Sequence, residues 1–277
     1  MRILHVNKFF DLQGGAEVYL HGLIKQQQAL GHEVHEFSTR SDKNLPSKDA
    51  KYFVTRYNLD RSDGAKVDLQ KAMNYVWNKE AEAAIKQEIA AVRPDVIHLH
   101  NLYNHLSTSV LAPIRASGIP CVQTLHDYKV AGCPNYKMFT EGAPCERCKG
   151  GNYLNAVKHH CISTSFLPNM LAALEMGIVK SRRSYERTVR LFLCPSRFMQ
   201  EKMEDWGQPK SKLRYVPNPT DLPSEAASAD GTYVLYVGAL SQVKGVSSLI
   251  EAPNNKPSLG CDSSHGSITS YHKEGCR

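Results

Sequence analysis

The sequence has no long apolar run. Its most apolar stretch, Phe166 to Val179, is broken by Pro168, Asn169 and Glu175 and falls short of the ~20 residues a membrane span needs. The opening residues, MRILHVNKFF, lack the apolar core and small-residue cleavage site of a secretory signal, so the expected location is cytoplasmic. There is no GxGxxG fingerprint and no P-loop, which argues against an NAD-dependent enzyme and a P-loop protein. No nucleic-acid module accompanies the basic residues, so DNA and RNA are not expected partners. Internal repeats and low-complexity tracts are also missing.

What is present describes a soluble globular chain: 277 residues, 42% apolar and 22% charged, enough for one large domain or two of ordinary size. The formal net charge is +7, and much of the surplus sits in Lys180, Arg182, Arg183, Arg187 and Arg190. Such a run is either a solvated helix face or a contact for an anionic membrane surface or a phosphate-bearing substrate. The second reading gives peripheral contact at the inner membrane face.

Short apolar runs alternate with longer amphipathic ones, the pattern of an α/β fold with a mostly parallel, Rossmann-like sheet. Strands are expected over residues 2–7, 33–38, 94–100, 120–125, 191–194 and 212–216. Helices are expected over 16–30, 78–92, 108–117, 165–189 and from 195 toward Trp206. Residues 40–75 are polar and weakly patterned, a long excursion, and 127–163 form an insertion rich in Gly, Pro and Cys. Together these make a first domain over 1–218, followed by a linker over 219–231. A second α/β domain starts with one βα unit over 232–252, a strand at 233–238 and a helix at 244–252. From 253 to 277 the apolar periodicity ends, and a truncated second domain with an aberrant, disordered tail is expected.

In open α/β sheets ligands lie beyond the C-terminal ends of the strands. After the first strand, Gly14 and Gly15 lead into a helix, where close backbone approach and free N–H groups suit an anion; a plain turn would look the same. His98, His100 and Asn101 close another strand. The two imidazoles, two residues apart, share one side, as a metal pair, as the polar lining of a cleft or as core histidines. His126 ends a third strand and could hydrogen-bond a sugar hydroxyl or orient a transferring group.

In order, Gly14-Gly15-Ala16-Glu17, His98-Leu99-His100-Asn101, Thr124-Leu125-His126-Asp127, Cys194-Pro195-Ser196, Tyr215-Val216-Pro217-Asn218 and the run from Tyr236 to Gly245 resemble family 4 glycosyltransferases, over Met1 to about Ala252. The resemblance implies a GT-B architecture, two Rossmann-like domains facing across a cleft, the first for the acceptor and the second for a nucleotide-diphosphate sugar. The implied reaction is hexosyl transfer with retention, to a glycan or lipid-linked acceptor, without a required metal. On this resemblance Gly14 and Gly15 lie against the donor diphosphate, His126 beside the transferring sugar, and Lys244 beside the leaving diphosphate. The chain departs from the pattern at Ala239, where the family has an arginine, and at Val243, in place of a glutamate. One lost cation at a developing charge costs on the order of 10²–10³ in rate, so impaired activity is expected. The paired donor-binding glutamates are not matched either; Glu274 stands in no comparable context. The alternative is a non-catalytic protein of the same fold that binds an acceptor or a partner.

Cys133, Cys145, Cys148 and Cys161 are spaced C-x11-C-x2-C-x12-C. Four thiolates with one CxxC knuckle suit a closed, structural zinc site that would tie down a segment with little apolar patterning. The other reading is a reduced loop whose thiols bind nothing.

Overall fold

A computed structural model of the chain describes residues 1–219, 236–238, 240 and 244–251. The expected tail over 253–277, nearly all of the linker and half of the strand at 233–238 lie outside them. The chain divides into two units, Met1–Thr220 and Asp221–Arg277.

The first unit is built on six parallel strands: β1 (Arg2–Val6), β2 (Glu33–Phe37), β3 (Val96–Leu99), β4 (Cys121–Thr124), β7 (Leu191–Cys194) and β8 (Leu213–Tyr215), in the order β2-β1-β3-β4-β7-β8. A two-stranded ribbon, β5 (Phe139–Thr140) with β6 (Ala143–Pro144), lies in the Cys-rich segment. Its helices are α1 (Gly15–Ala29), α2 (Ala65–Val76), α3 (Lys79–Val92), α4 (Leu111–Ser117), α5 (Asn155–Lys158), α6 (Phe166–Ser181), α7 (Ser184–Thr188) and α8 (Arg197–Asp205).

The chain steps from β1 to β2 in one direction and then crosses back to β3 in the other. Right-handed crossovers therefore put α1 on one face of the sheet and α3 on the opposite one. Side-chain alternation follows. Leu4 and Val6 join Ile97 and Leu99 in the larger core, closed by Ile85 of α3 and Ile114 of α4. On the α1 face Leu20 and Ile24 meet Phe10, Val34 and Phe53. The α1 helix stops where Gly31 turns left-handed at φ 81°, a conformation that costs glycine little.

Two expectations are corrected. The helix expected over 165–189 is two helices, because Arg183 adopts φ 49° between α6 and α7. The break brings Tyr185 and Val189 into the larger core while Lys180 turns inward onto the Val130 carbonyl at 2.8 Å. The basic run is thus not one stripe: Arg182 lies over Trp77, and Arg183, Arg187 and Arg190 are exposed. The excursion over 40–75 is structured as well, with Thr39 bridged to Val54 and all but the last residue of α2 inside it. The buried residues of α2 are Lys71 and Asn74, whereas its apolar Leu69 and Met73 are exposed, so burial here does not follow the apolar pattern.

In the second unit α9 (Val246–Glu251) follows Lys244 and Gly245, whose carbonyl accepts from the Leu249 N–H at 3.0 Å. Lys244 is exposed.

Candidate functional site

The strand order reverses between β1 and β3, and the crevice beyond their carboxyl ends is where the predicted residues gather. Asn7, buried at the end of β1, ties the crevice together. Its amide nitrogen donates to Glu17 of α1 at 3.1 Å and to the Phe9 carbonyl at 2.8 Å, while its oxygen accepts from the Asn101 N–H at 3.0 Å. The Lys8 N–H donates to the Asn101 carbonyl at 2.8 Å. The start of α1 is thereby pinned beside the end of β3. Gly14 and Gly15 are exposed there; Gly14 is extended at φ −174°, and a Cβ on Gly15 would meet nothing within 4 Å. Open space, and not backbone strain, distinguishes these positions. The first N–H groups of α1 have no partner within the helix and carry its positive dipole end.

A row of imidazoles crosses the sheet on the α1 face. His5 and His98 are register partners on β1 and β3, and His100 and His126 extend the row toward the crevice. The row is hydrogen-bonded throughout: Gln27 Oε1 to His5 Nε2 at 2.8 Å, His5 Nδ1 to His100 Nε2 at 3.1 Å, and His100 Nδ1 to His126 Nε2 at 3.1 Å. His98 Nε2 meets Thr124 Oγ1 at 2.8 Å, and the Tyr19 hydroxyl reaches that same oxygen at 3.4 Å. Tyr19 also sets its ring edge toward His126, with centroids 5.3 Å apart, so the first turns of α1 and His126 border the same space.

Burial dominates the electrostatics. It lowers His5 and His126 to about 4 and His98 and His100 well below the usual imidazole range, so the row is neutral at pH 7. Neutral imidazoles are what a metal requires, and one nitrogen from each of His5, His98 and His100 falls within 4.8 Å of the others. Two ligands of a tetrahedral ion with bonds of ~2.0–2.1 Å would sit about 3.4 Å apart, however. The 3.1 Å contact of His5 with His100 is a direct hydrogen bond, and their outer nitrogens are occupied too.

At the crevice floor, Tyr103 donates to Asp127, whose carboxyl burial pushes up, and Lys8 lies 3.9 Å over the Tyr103 ring. Burial lowers the Lys8 ammonium to about 8, although Asp127 and Glu17 act to raise it. Behind them Lys129 pairs with Glu175 of α6 at 2.6 Å, both side chains 2% exposed. Burial, the largest single influence, would depress Lys129, but Glu175, Tyr75 and Asp127 together outweigh it and the pKa is raised.

A small cavity under the strand ends is lined by His100, Asn101, Tyr103, His126, Asp127 and Lys129, among others. His98 is not part of its lining; it is 6% exposed and bonded to Thr124 inside the sheet layer. His100, Asn101 and His126 therefore share one cavity with His98 behind them, and the helix start at Gly14 and Gly15 is linked to Asn101 through Glu17 and Asn7. Lys244 belongs to the other unit. Cys133, Cys145, Cys148 and Cys161 line a separate cavity as free thiols. The sequence reading missed His5, Asn7, Gln27 and Tyr19. Two polar residues inside the run Ile3-Leu4-His5-Val6-Asn7 were the available signal, since a fully buried strand has no solvated face for them.

No curated protein matches the chain. Among solved structures, MurG of Acinetobacter baumannii is similar at 12% identity and TM-score 0.38, with 81% of this chain and 47% of that one covered. The lipopolysaccharide outer core galactosyltransferase WaaB is similar at 14% and 0.42, covering 81% and 47%. The UDP-GlcNAc 2-epimerase of Methanocaldococcus jannaschii is similar at 12% and 0.42, covering 79% and 46%. The chain thus spans about half the length of the solved structures it matches. The sequence profile of Glycosyltransferase Family 4 matches residues 13–223, more than half of the chain. That span holds the start of α1, the imidazoles of β3, His126 and the Cys-rich segment, and this chain belongs to Glycosyltransferase Family 4.

Proposed function

We propose that the chain serves a retaining hexosyl transfer from a nucleotide-diphosphate sugar to a glycan or lipid-linked acceptor, at a cytoplasmic site or on the inner membrane face. The observation that carries this reading is the family match across residues 13–223. In it, residues 1–218 form the acceptor side and the donor side begins at 232. The exposed N–H groups at Gly14 and Gly15 meet the diphosphate, and neutral His126 contacts the transferring sugar. Asn101 and His100 line the acceptor cleft, and Lys244 offsets the charge of the leaving group. What supports these roles is that the helix start and His126 border one space beyond the sheet. No helix among the described residues is long and apolar enough to cross a membrane.

The test is transfer of labelled sugar from UDP- and GDP-sugars to lipid-linked acceptors. Transfer with retained anomeric configuration is expected, with His126→Ala slower by about 10²-fold, the scale of one lost contact to developing charge. Because Ala239 stands where the family has arginine, turnover is expected to be low and Ala239→Arg to raise it by about tenfold or more. Calorimetry that detects an acceptor glycan but no sugar nucleotide would leave a binding protein and sink the transferase reading.

For Cys133, Cys145, Cys148 and Cys161 we propose a structural zinc, supported by their shared cavity and by the absence of disulfides among them. Burial pushes the Cys148 thiol up to about 12, so a bound cation would have to draw off its proton. Elemental analysis should give one zinc per chain and chelation a lower Tm; purified protein without zinc would refute this.

A further inference from the structure

The proton order along the histidine row is not free. A neutral imidazole has one N–H and one lone pair, so in a chain of such rings the choice at one end fixes every ring after it. At the buried end His5 Nε2 faces Gln27 Oε1 at 2.8 Å, and a carbonyl oxygen only accepts. His5 therefore carries its proton on Nε2 and offers a bare Nδ1. His100 must donate from Nε2 across 3.1 Å and offer a bare Nδ1 in turn. His126 must then donate from Nε2, again across 3.1 Å. Its Nδ1 is left as a lone pair, without a hydrogen-bond partner among the described residues, on a ring that lines the cavity beyond β4. A half-reversed chain would set two N–H groups or two lone pairs against each other in the buried interior, which water cannot relieve. Burial keeps all three rings neutral at pH 7.

We propose that Gln27 is a positioning residue: through His5 and His100 it fixes His126 in the tautomer whose Nδ1 faces the cleft as a hydrogen-bond acceptor. His126 then takes a hydroxyl or amide N–H of the bound molecule and disfavours a carboxylate. Only this last consequence rests on the proposed sugar transfer; the tautomer itself does not. Gln27 lies on α1, on the far side of two rings from the cleft, and touches no bound molecule.

The experiment is long-range ¹H–¹⁵N NMR of the full chain with ¹⁵N-labelled histidine at pH 7, with no substrate present. In the wild type His5, His100 and His126 should all show the Nε2–H form. Gln27→Lys, which can only donate, should convert His126 to the Nδ1–H form, and Gln27→Met should leave it a mixture of both. Gln28→Met, a neighbouring exposed position, should change nothing. Circular dichroism checks that each variant is folded. A wild-type His126 protonated on Nδ1 overturns the proposal even if no variant folds. It is equally overturned if His126 ignores both Gln27 substitutions. Loss of the His5 and His100 proton signals on adding zinc would replace the hydrogen-bonded chain by a metal site. An intact tautomer pattern in a protein that transfers no sugar would keep this inference and reject the function instead.

Discussion

Glu88 shows how much a single side chain can carry. It is fully buried on α3, and both of its carboxylate oxygens lack a hydrogen-bond partner. Burial above all, then Asp49 and Glu36, raises its pKa from 4.5 to about 9, so at pH 7 it is protonated in the folded chain and ionised in the unfolded one. The raised value makes its stabilisation complete below pH 4.5 and drains it away as the pH climbs toward 9. Glu88→Gln removes this drain with a neutral side chain of the same shape. The expected gain is small at pH 5 and roughly 3 kcal/mol at pH 7, from about 1.4 kcal/mol per pH unit. Urea titrations at the two pH values check it, and an equal effect at both would show that Glu88 is ionised in place. At this scale His126 could be picked out because it ends a strand, whereas nothing local marks Gln27, one of three consecutive glutamines on an otherwise ordinary helix.

Among the elements, α3 was legible because its apolar stripe begins right after a capping residue. Asn78 accepts from the Ala81 N–H at 3.0 Å and donates to the His105 carbonyl at 2.7 Å, so it starts the helix and fastens it to the loop after β3. Asn78→Ala should cost about 1–3 kcal/mol, the sum of a lost cap and a lost internal bond, and Asn78→Ser should recover part of it. Denaturant midpoints decide; an Asn78→Ala variant of wild-type stability would mean that the cap is replaced by water. The Lys129–Glu175 pair, which fixes the segment after β4 to α6, was not legible, since its partners are far apart in sequence. Lys129→Met should cost about 3–5 kcal/mol by leaving a buried carboxylate unpaired. The double variant Lys129→Met with Glu175→Leu should regain most of that loss, and a double variant no better than the single would show that packing, not charge, is at stake.

For the molecule as a whole, the buried imidazoles and Glu88 pull stability in opposite directions with pH. His5, His105 and His126 titrate at about 4 when folded, and burial holds His98 and His100 well below the usual imidazole range, against 6.5 when unfolded. Below pH 6.5 the unfolded chain therefore takes up protons that the folded chain refuses, and stability falls as the pH drops toward 4. Each such group adds up to about 1.4 kcal/mol per pH unit, so five together make a steep limb. Glu88 alone gives a shallow loss above pH 4.5. Stability should therefore peak near neutrality and collapse on the acid side, with net proton uptake on unfolding at pH 5. Calorimetric melts in buffers of different ionisation enthalpy measure that uptake; a value near zero would mean that the imidazoles are already charged in the fold.

By itself the sequence determined the α/β class, the sheet strands and the set of loops at their carboxyl ends, because apolar period and helix stops are local properties. Only the tertiary structure decided that His5, His98, His100 and His126 form one row, that His98 lies behind the cleft and that α2 exists. Register between strands far apart in sequence sets the first two, and α2 turns Lys71 and Asn74 inward while its apolar Leu69 and Met73 stay exposed, against the pattern that local sequence offers.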